Sequence, residues 1–125
     1  MHTNVLSAMR LLPIVAPLVA TTRGKLAVLS SRMGSIGERT SNQGSLYRAS
    51  KAALNSVLAD AALTYGPQGA CCLAFHPGWV QTDMGGPGAT LTVERSVTGL
   101  RATLANATPA QNGAFLNYDG TTIPW

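Results

Sequence analysis

The chain has 125 residues, 46% of them hydrophobic and only 11% charged, with a formal net charge of +4. That length fits one domain with a core of its own. The charge fraction lies well below the ~25% of an average soluble domain, as expected of a chain rich in core or one that buries surface against another body. The nine Lys and Arg are scattered from Arg10 to Arg101 with no run of three. A basic stripe with interleaved aromatics, the footprint of a nucleic-acid binder, is absent.

Residues 4–20 read as a helix, with apolar positions at Val5, Leu6, Met9, Leu12, Ala16 and Val19. Arg10, Pro13 and Pro17 interrupt its apolar run, which is too short and broken for a membrane span and lacks the form of a signal peptide. Pro13 inside a helix removes a hydrogen bond and costs ~3 kcal/mol unless a kink absorbs it. Residues 25–30 then read as a buried strand, and 33–46 as a loop of turn formers and caps. The clearest helix is 46–64, closed by Gly66-Pro67-Gln68-Gly69. Residues 70–75 form a second buried strand. Residues 78–91 hold four Gly and one Pro and read as a mobile segment. Thr92 opens a third helix to about Ala105, and 114–118 is a short last strand.

This alternation predicts an α/β fold with parallel strands. The near-continuous apolar character of 25–30 and 70–75 predicts strands covered on both faces. Cys71 and Cys72 are adjacent, so in a strand they point to opposite faces and suit neither a disulfide nor a zinc half-site. With no disulfide framework, the cytosol is the expected compartment. His76 has only His2 for company, so no metal site is expected, and a strand-end turn is the simplest reading. Asp83 reads as the cap of a short helix.

Three residues carry chemistry. Ser31 ends the strand-forming run Lys25-Leu26-Ala27-Val28-Leu29, Tyr47 follows sixteen residues later, and Lys51 four after that. Spacing of four puts Tyr47 and Lys51 on one helix face. A tyrosine is a poor base near neutrality, and a nearby ammonium favours its phenolate. Tyr-x-x-x-Lys alone arises often by chance. Its conjunction with a hydroxyl at a strand's carboxyl end, where open α/β sheets bind ligands, raises its weight. Ser30 is the alternative hydroxyl. Asn4 reads most simply as a helix N-cap.

Ser31, Tyr47-Arg48-Ala49-Ser50-Lys51 and Pro77-Gly78-Trp79-Val80-Gln81-Thr82-Asp83-Met84 resemble the second half of a short-chain dehydrogenase/reductase. The tail, from Gly113-Ala114-Phe115 through Tyr118-Asp119-Gly120 to Ile123-Pro124-Trp125, resembles the small carbonyl-reductase branch that includes the C-signal and sniffer-like proteins. The resemblance spans essentially the whole chain and begins within that family's fourth crossover helix, at Asn4-Val5-Leu6. It implies the C-terminal half of a Rossmann-type doubly wound parallel sheet, here three strands and three main helices. Residues 1–125 would then be a partial NAD(P)-binding domain, the catalytic half, from a domain roughly twice as long. The Gly-rich nucleotide loop is missing: the sequence has no G-x-G-x-x-G.

The resemblance also implies roles. Tyr47 would be the acid/base and Ser31, the second of its pair as in the family, the donor to the substrate oxygen. Lys51 would activate Tyr47 and hold the nicotinamide ribose, and the Asn4 carbonyl would anchor a water. Pro77, Gly78, Val80 and Thr82 would wall the nicotinamide, making the cofactor-binding set Tyr47, Lys51, Pro77, Gly78, Val80 and Thr82. No side chain donates hydride, so a reduction needs NAD(P). The expected partner is a small carbonyl or alcohol substrate, with no nucleic acid and no membrane, and a homo-oligomer formed through helices 4–20 and 46–64. The alternative is a truncated, catalytically incompetent fragment acting only through association. An isomerase or dehydratase of the related extended group uses the same Tyr and Lys, but the short tail after residue 113 argues against it.

Overall fold

The computed structural model describes residues 5–80, 88, 89 and 91–125. Its elements run α1 (Ser7–Thr21), β1 (Lys25–Leu29), a 3-10 turn (Arg32–Gly34), α2 (Ser45–Tyr65), β2 (Cys71–His76), α3 (Val93–Asn106), a second 3-10 turn (Pro109–Gln111) and β3 (Phe115–Asn117). The three strands form one parallel sheet in the order β1-β2-β3, with Leu29 paired to Phe75 and Phe75 to Leu116. The expected α/β alternation is therefore present, with element bounds within a few residues of those read from the sequence.

Two layers of helix cover the sheet. Leu12, Ala16 and Ala20 of α1 and Leu58, Ala61 and Ala62 of α2 pack on one face against Leu26, Cys72, Ala74 and Phe115. On the other face Leu100 and Leu104 of α3 pack over Cys71, Leu73, Phe75 and Leu116. The adjacent Cys71 and Cys72 thus face opposite layers, as strand alternation requires, and both are buried free thiols. Burial pushes both thiols up from their ordinary value.

Central β2 is buried on both faces, but β1 is not: Ala27 and Leu29 are exposed, Leu29 by 59%. The expectation that both apolar strands are fully covered is corrected here. The reason is geometric: α3 packs over β2 and β3, and among the described residues nothing pairs with the outer edge of β1. One tether does reach across. The Lys25 ammonium donates to the carbonyls of Leu104 (2.8 Å) and Ala105 (2.7 Å) at the C-terminus of α3, where a cation is favourable.

Helix α1 runs unbroken through Pro13 and Pro17, and Pro13 lies on its exposed side. The expected apolar set is partly corrected. Val5, Leu12, Ala16 and Ala20 are buried, whereas Leu6 and Met9 are exposed along with Leu11, Ile14 and Leu18. At the helix end Arg23, not Gly24, takes the left-handed conformation, with φ 53°. Thr92 caps α3 as expected, its hydroxyl accepting from the Arg95 N–H. Most of the segment expected to be mobile, together with the expected Asp83 cap, lies outside the described residues. No helix among the described residues is long and apolar enough to cross a membrane.

Candidate active site

Because β1 and β2 are parallel, their carboxyl ends open on the same side, where β1 is followed by Ser30 and Ser31 and β2 ends on His76. Ser30 extends the ladder by donating its N–H to Phe75 O at 2.7 Å. Its hydroxyl donates to Asn55 Oδ1 at 2.6 Å in a buried contact. Ser30 is therefore committed to holding the strand end on α2. The Ser31 Oγ accepts the Met33 N–H at 3.1 Å and so caps the first 3-10 turn. That contact leaves the Ser31 hydroxyl proton free to donate. Of the two candidate hydroxyls, only Ser31 keeps this capacity.

Tyr47, Lys51 and Asn55 stand at successive turns of α2, four residues apart. Lys51 Nζ lies 5.7 Å from the centroid of the Tyr47 ring, within cation–π range. Tyr47 is 37% exposed while Lys51 is 9% exposed. Burial holds the Lys51 ammonium below its ordinary value, since desolvation disfavours the charged form. Among the described residues no carboxylate pairs with it. Gly34, at the end of the 3-10 turn, sits directly on the Lys51 backbone.

At the end of β2, His76 Nδ1 accepts the Arg32 N–H at 3.1 Å. Its imidazole is depressed to about 4, first by burial and then by the Arg32 guanidinium, with Glu38 opposing. Pro77 O accepts from the buried Ser96 hydroxyl of α3 at 2.6 Å. Gly78 has φ +87°, and a Cβ there would lie 2.5 Å from Leu91 Cδ2 and 3.0 Å from Tyr118. Glycine is required on both counts. Val80 forms a parallel bridge with Leu91.

These groups line one open cleft of about 950 Å³. Ser31, Tyr47, Lys51, His76, Gly78 and Val80 are all on its wall, with Trp79, Val93 and Val97 as its apolar side. The structure thus gathers Ser31, Tyr47, Lys51, Pro77, Gly78 and Val80. Asn4 and Thr82 lie outside the described residues. Among those described, no cluster of His, Cys, Asp or Glu could hold a metal. The arrangement offers a hydroxyl donor, a phenol and an ammonium with no carboxylate partner among the described residues around one space, a set able to bind an oxygen and exchange a proton with it.

Sequence reading missed Asn55, Ser96 and the contact made by His76. Asn55 carried a signal, since it continues the Tyr47–Lys51 spacing by one more turn. Ser96 carried none, because its partner lies nineteen residues away in a turn.

Three parallel strands sandwiched by helices, with polar groups gathered beyond their carboxyl ends, define an open α/β domain with its ligand site at the strand ends. The family model described as enoyl-(acyl carrier protein) reductase matches residues 1–115, and the chain belongs to the short-chain dehydrogenase/reductase family. It is 43% identical over 101 residues to the C-signal of Myxococcus xanthus, covering 81% of this chain and 61% of that one. The carbonyl reductase Sniffer of D. melanogaster superposes with a TM-score of 0.93 at 34% identity, over 99% of this chain and 55% of that chain. An NADPH-bound carbonyl reductase from chicken fatty liver superposes with a TM-score of 0.88 at 34% identity, over 98% and 54%. The chain therefore spans about half the length of these solved relatives.

Proposed function

We propose that this chain carries the catalytic half of an NAD(P)-dependent oxidoreductase acting on small carbonyl or alcohol groups. The observation that carries the reading is the conjunction of a Ser31 hydroxyl with its proton free to donate, Tyr47, and the Lys51 ammonium over the Tyr47 ring on one cleft wall. Family membership and the carbonyl reductases among its relatives support it.

The nicotinamide end of a cofactor suits this cleft. Gly78, packed too closely on Leu91 and Tyr118 to admit a side chain, presents bare backbone on the cleft wall, and Lys51 is a cation able to hold ribose hydroxyls. The residues around 77–80 and Lys51 would hold that end, and a dedicated phosphate-cradling loop is not among the 125 residues. When bound, the nicotinamide supplies the hydride. The chain's own residues do the rest. Ser31 donates to the substrate oxygen and orients it. Tyr47 delivers the proton as charge develops on that oxygen, and Lys51 stabilises the phenolate left behind. Asn4 and Thr82 keep the roles given by family resemblance.

Exposed Leu11, Ile14 and Leu18 on α1 and Leu63 on α2 support self-association through these helices. The lack of a disulfide framework supports a cytoplasmic setting.

The test is NADPH and NADH binding by nucleotide fluorescence, followed by turnover with a panel of carbonyl substrates, on this chain alone and joined to a nucleotide-binding half. Tyr47→Phe should keep nucleotide binding and lose at least about a hundredfold in turnover. Full activity in that variant would remove Tyr47 from the mechanism.

A further inference from the structure

We infer that His76 is a positioning residue for Ser31, acting through the backbone of Arg32. Its effect on turnover rests on the oxidoreductase reading above; its effect on structure does not. The argument begins with the parallel ladder. Ser30 N–H bonds to Phe75 O, so the next rung would join the Ser30 carbonyl to the N–H of residue 77 and the Arg32 N–H to the carbonyl of residue 77. Pro77 has no N–H to give, and its carbonyl is taken by Ser96. The backbone ladder therefore stops one residue short of Ser31.

The His76 imidazole continues it. A backbone N–H can only donate, so Nδ1, 3.1 Å from the Arg32 nitrogen, must accept and the ring proton resides on Nε2. Ser31 is then held from both sides. Ser30 is fixed to Phe75 and Asn55, and Arg32 is fixed to His76. The turn beyond closes on Ser31 itself, through Met33 N–H to Oγ and Gly34 N–H to its carbonyl at 2.8 Å. Burial favours the neutral acceptor first, and of the two charged groups that act on the imidazole one adds to it and one opposes. Arg32 disfavours its protonation and pairs with Glu38, which opposes more weakly, while Tyr47 and Lys51 of α2 line the same cleft. A protonated Nδ1 could not accept, so the clamp exists only with neutral His76.

Amide hydrogen exchange on the 125-residue chain tests this, comparing His76→Phe, which keeps a ring and removes the acceptor, with His76→Asn, whose Oδ1 can stand where Nδ1 does. Exchange at Arg32, Met33 and Gly34 should rise about tenfold in His76→Phe and stay within about threefold of the parent in His76→Asn. Unchanged exchange in His76→Phe, or a rise confined to Arg32, would overturn the inference. Should His76→Phe fail to fold, imidazole nitrogen shifts of the parent chain decide. An unprotonated Nδ1 and protonated Nε2 held down to about pH 5 support it, and the opposite tautomer overturns it. In an active form joined to a nucleotide-binding half, His76→Phe should lower kcat about tenfold with nucleotide affinity kept, and should add nothing to Ser31→Ala. If Tyr47→Phe remained fully active, the catalytic reading would fall while the exchange result still judged the clamp.

Discussion

Gly34 and Lys51 touch backbone to backbone: a Cβ on Gly34 would lie 2.9 Å from the Lys51 carbonyl carbon and 2.9 Å from its Cβ. The turn that follows Ser31 is thereby seated on the helix that carries Tyr47 and Lys51. Gly34→Ala must push the two apart, because the atoms it meets belong to a helix backbone. A loss of about 1–3 kcal/mol is expected, read as a lower urea midpoint. An unchanged midpoint would show that the seat is looser than described.

Ser30 and Asn55 form a second seat for the same strand end. Ser30→Ala leaves Asn55 Oδ1 without its donor, and the Asn55 amide nitrogen is already buried with no partner among the described residues. The expected cost is about 1–3 kcal/mol. Pairing it with Asn55→Leu should cost clearly less than the sum of the two single changes. A double-mutant cycle that closes additively would deny the coupling.

The Lys51 ammonium makes a signed contribution to stability. Its folded value lies below the ordinary 10.5, so at neutral pH burial of the charge opposes folding. Between the folded value and 10.5 the unfolded chain binds more protons, and stability should rise with pH across that window. Cys71 and Cys72, pushed up from 9.0, act in the opposite sense as pH rises. The comparison is therefore parent against Lys51→Met, with midpoints measured from pH 8 to 11. The Lys51-dependent difference should shrink as pH rises, and a pH-independent difference would contradict the buried-charge account.

His76 gives the acid-side counterpart. Its folded value of about 4 against an ordinary 6.5 means that the unfolded chain takes up a proton first as pH falls. Stability should decline from about pH 6.5 toward 4, and part of that decline should vanish in His76→Asn. An identical slope in both proteins would place the decline elsewhere, in the carboxylates.

The C-terminal tail restrains the loop between Ser31 and Tyr47. The Ser35 hydroxyl donates to Pro124 O, Ile36 N–H donates to Trp125 O at 2.6 Å, and the Trp125 ring stacks on Phe115 at 5.2 Å. Removing residues 123–125 should speed tryptic cleavage after the exposed Arg39 by about tenfold. An unaltered cleavage rate would mean that the loop is held by other contacts.

How much of this was legible in the sequence depends on the range of each contact. The pair Tyr47 and Lys51 is written in local spacing, and Ser31 follows from where an apolar run stops. Asn55 needed only one more helical step. The His76–Arg32, Ser96–Pro77 and Gly34–Lys51 contacts join segments from seventeen to forty-four residues apart, and no local pattern encodes them. The exposure of Leu29 was illegible for a related reason: an apolar strand states what it could bury, whereas its cover depends on where α3 comes to rest.

The tail reaches the loop through the main-chain carbonyls of Pro124 and Trp125, which every amino acid possesses. Natural selection acting on that grip would therefore count residues after β3 more strictly than it would name them. Beyond the buried Ile123, substitutions at Pro124 and Trp125 can accumulate in a lineage so long as Trp125's stacking surface is replaced by something flat, while a single deletion would shift both carbonyls out of reach at once.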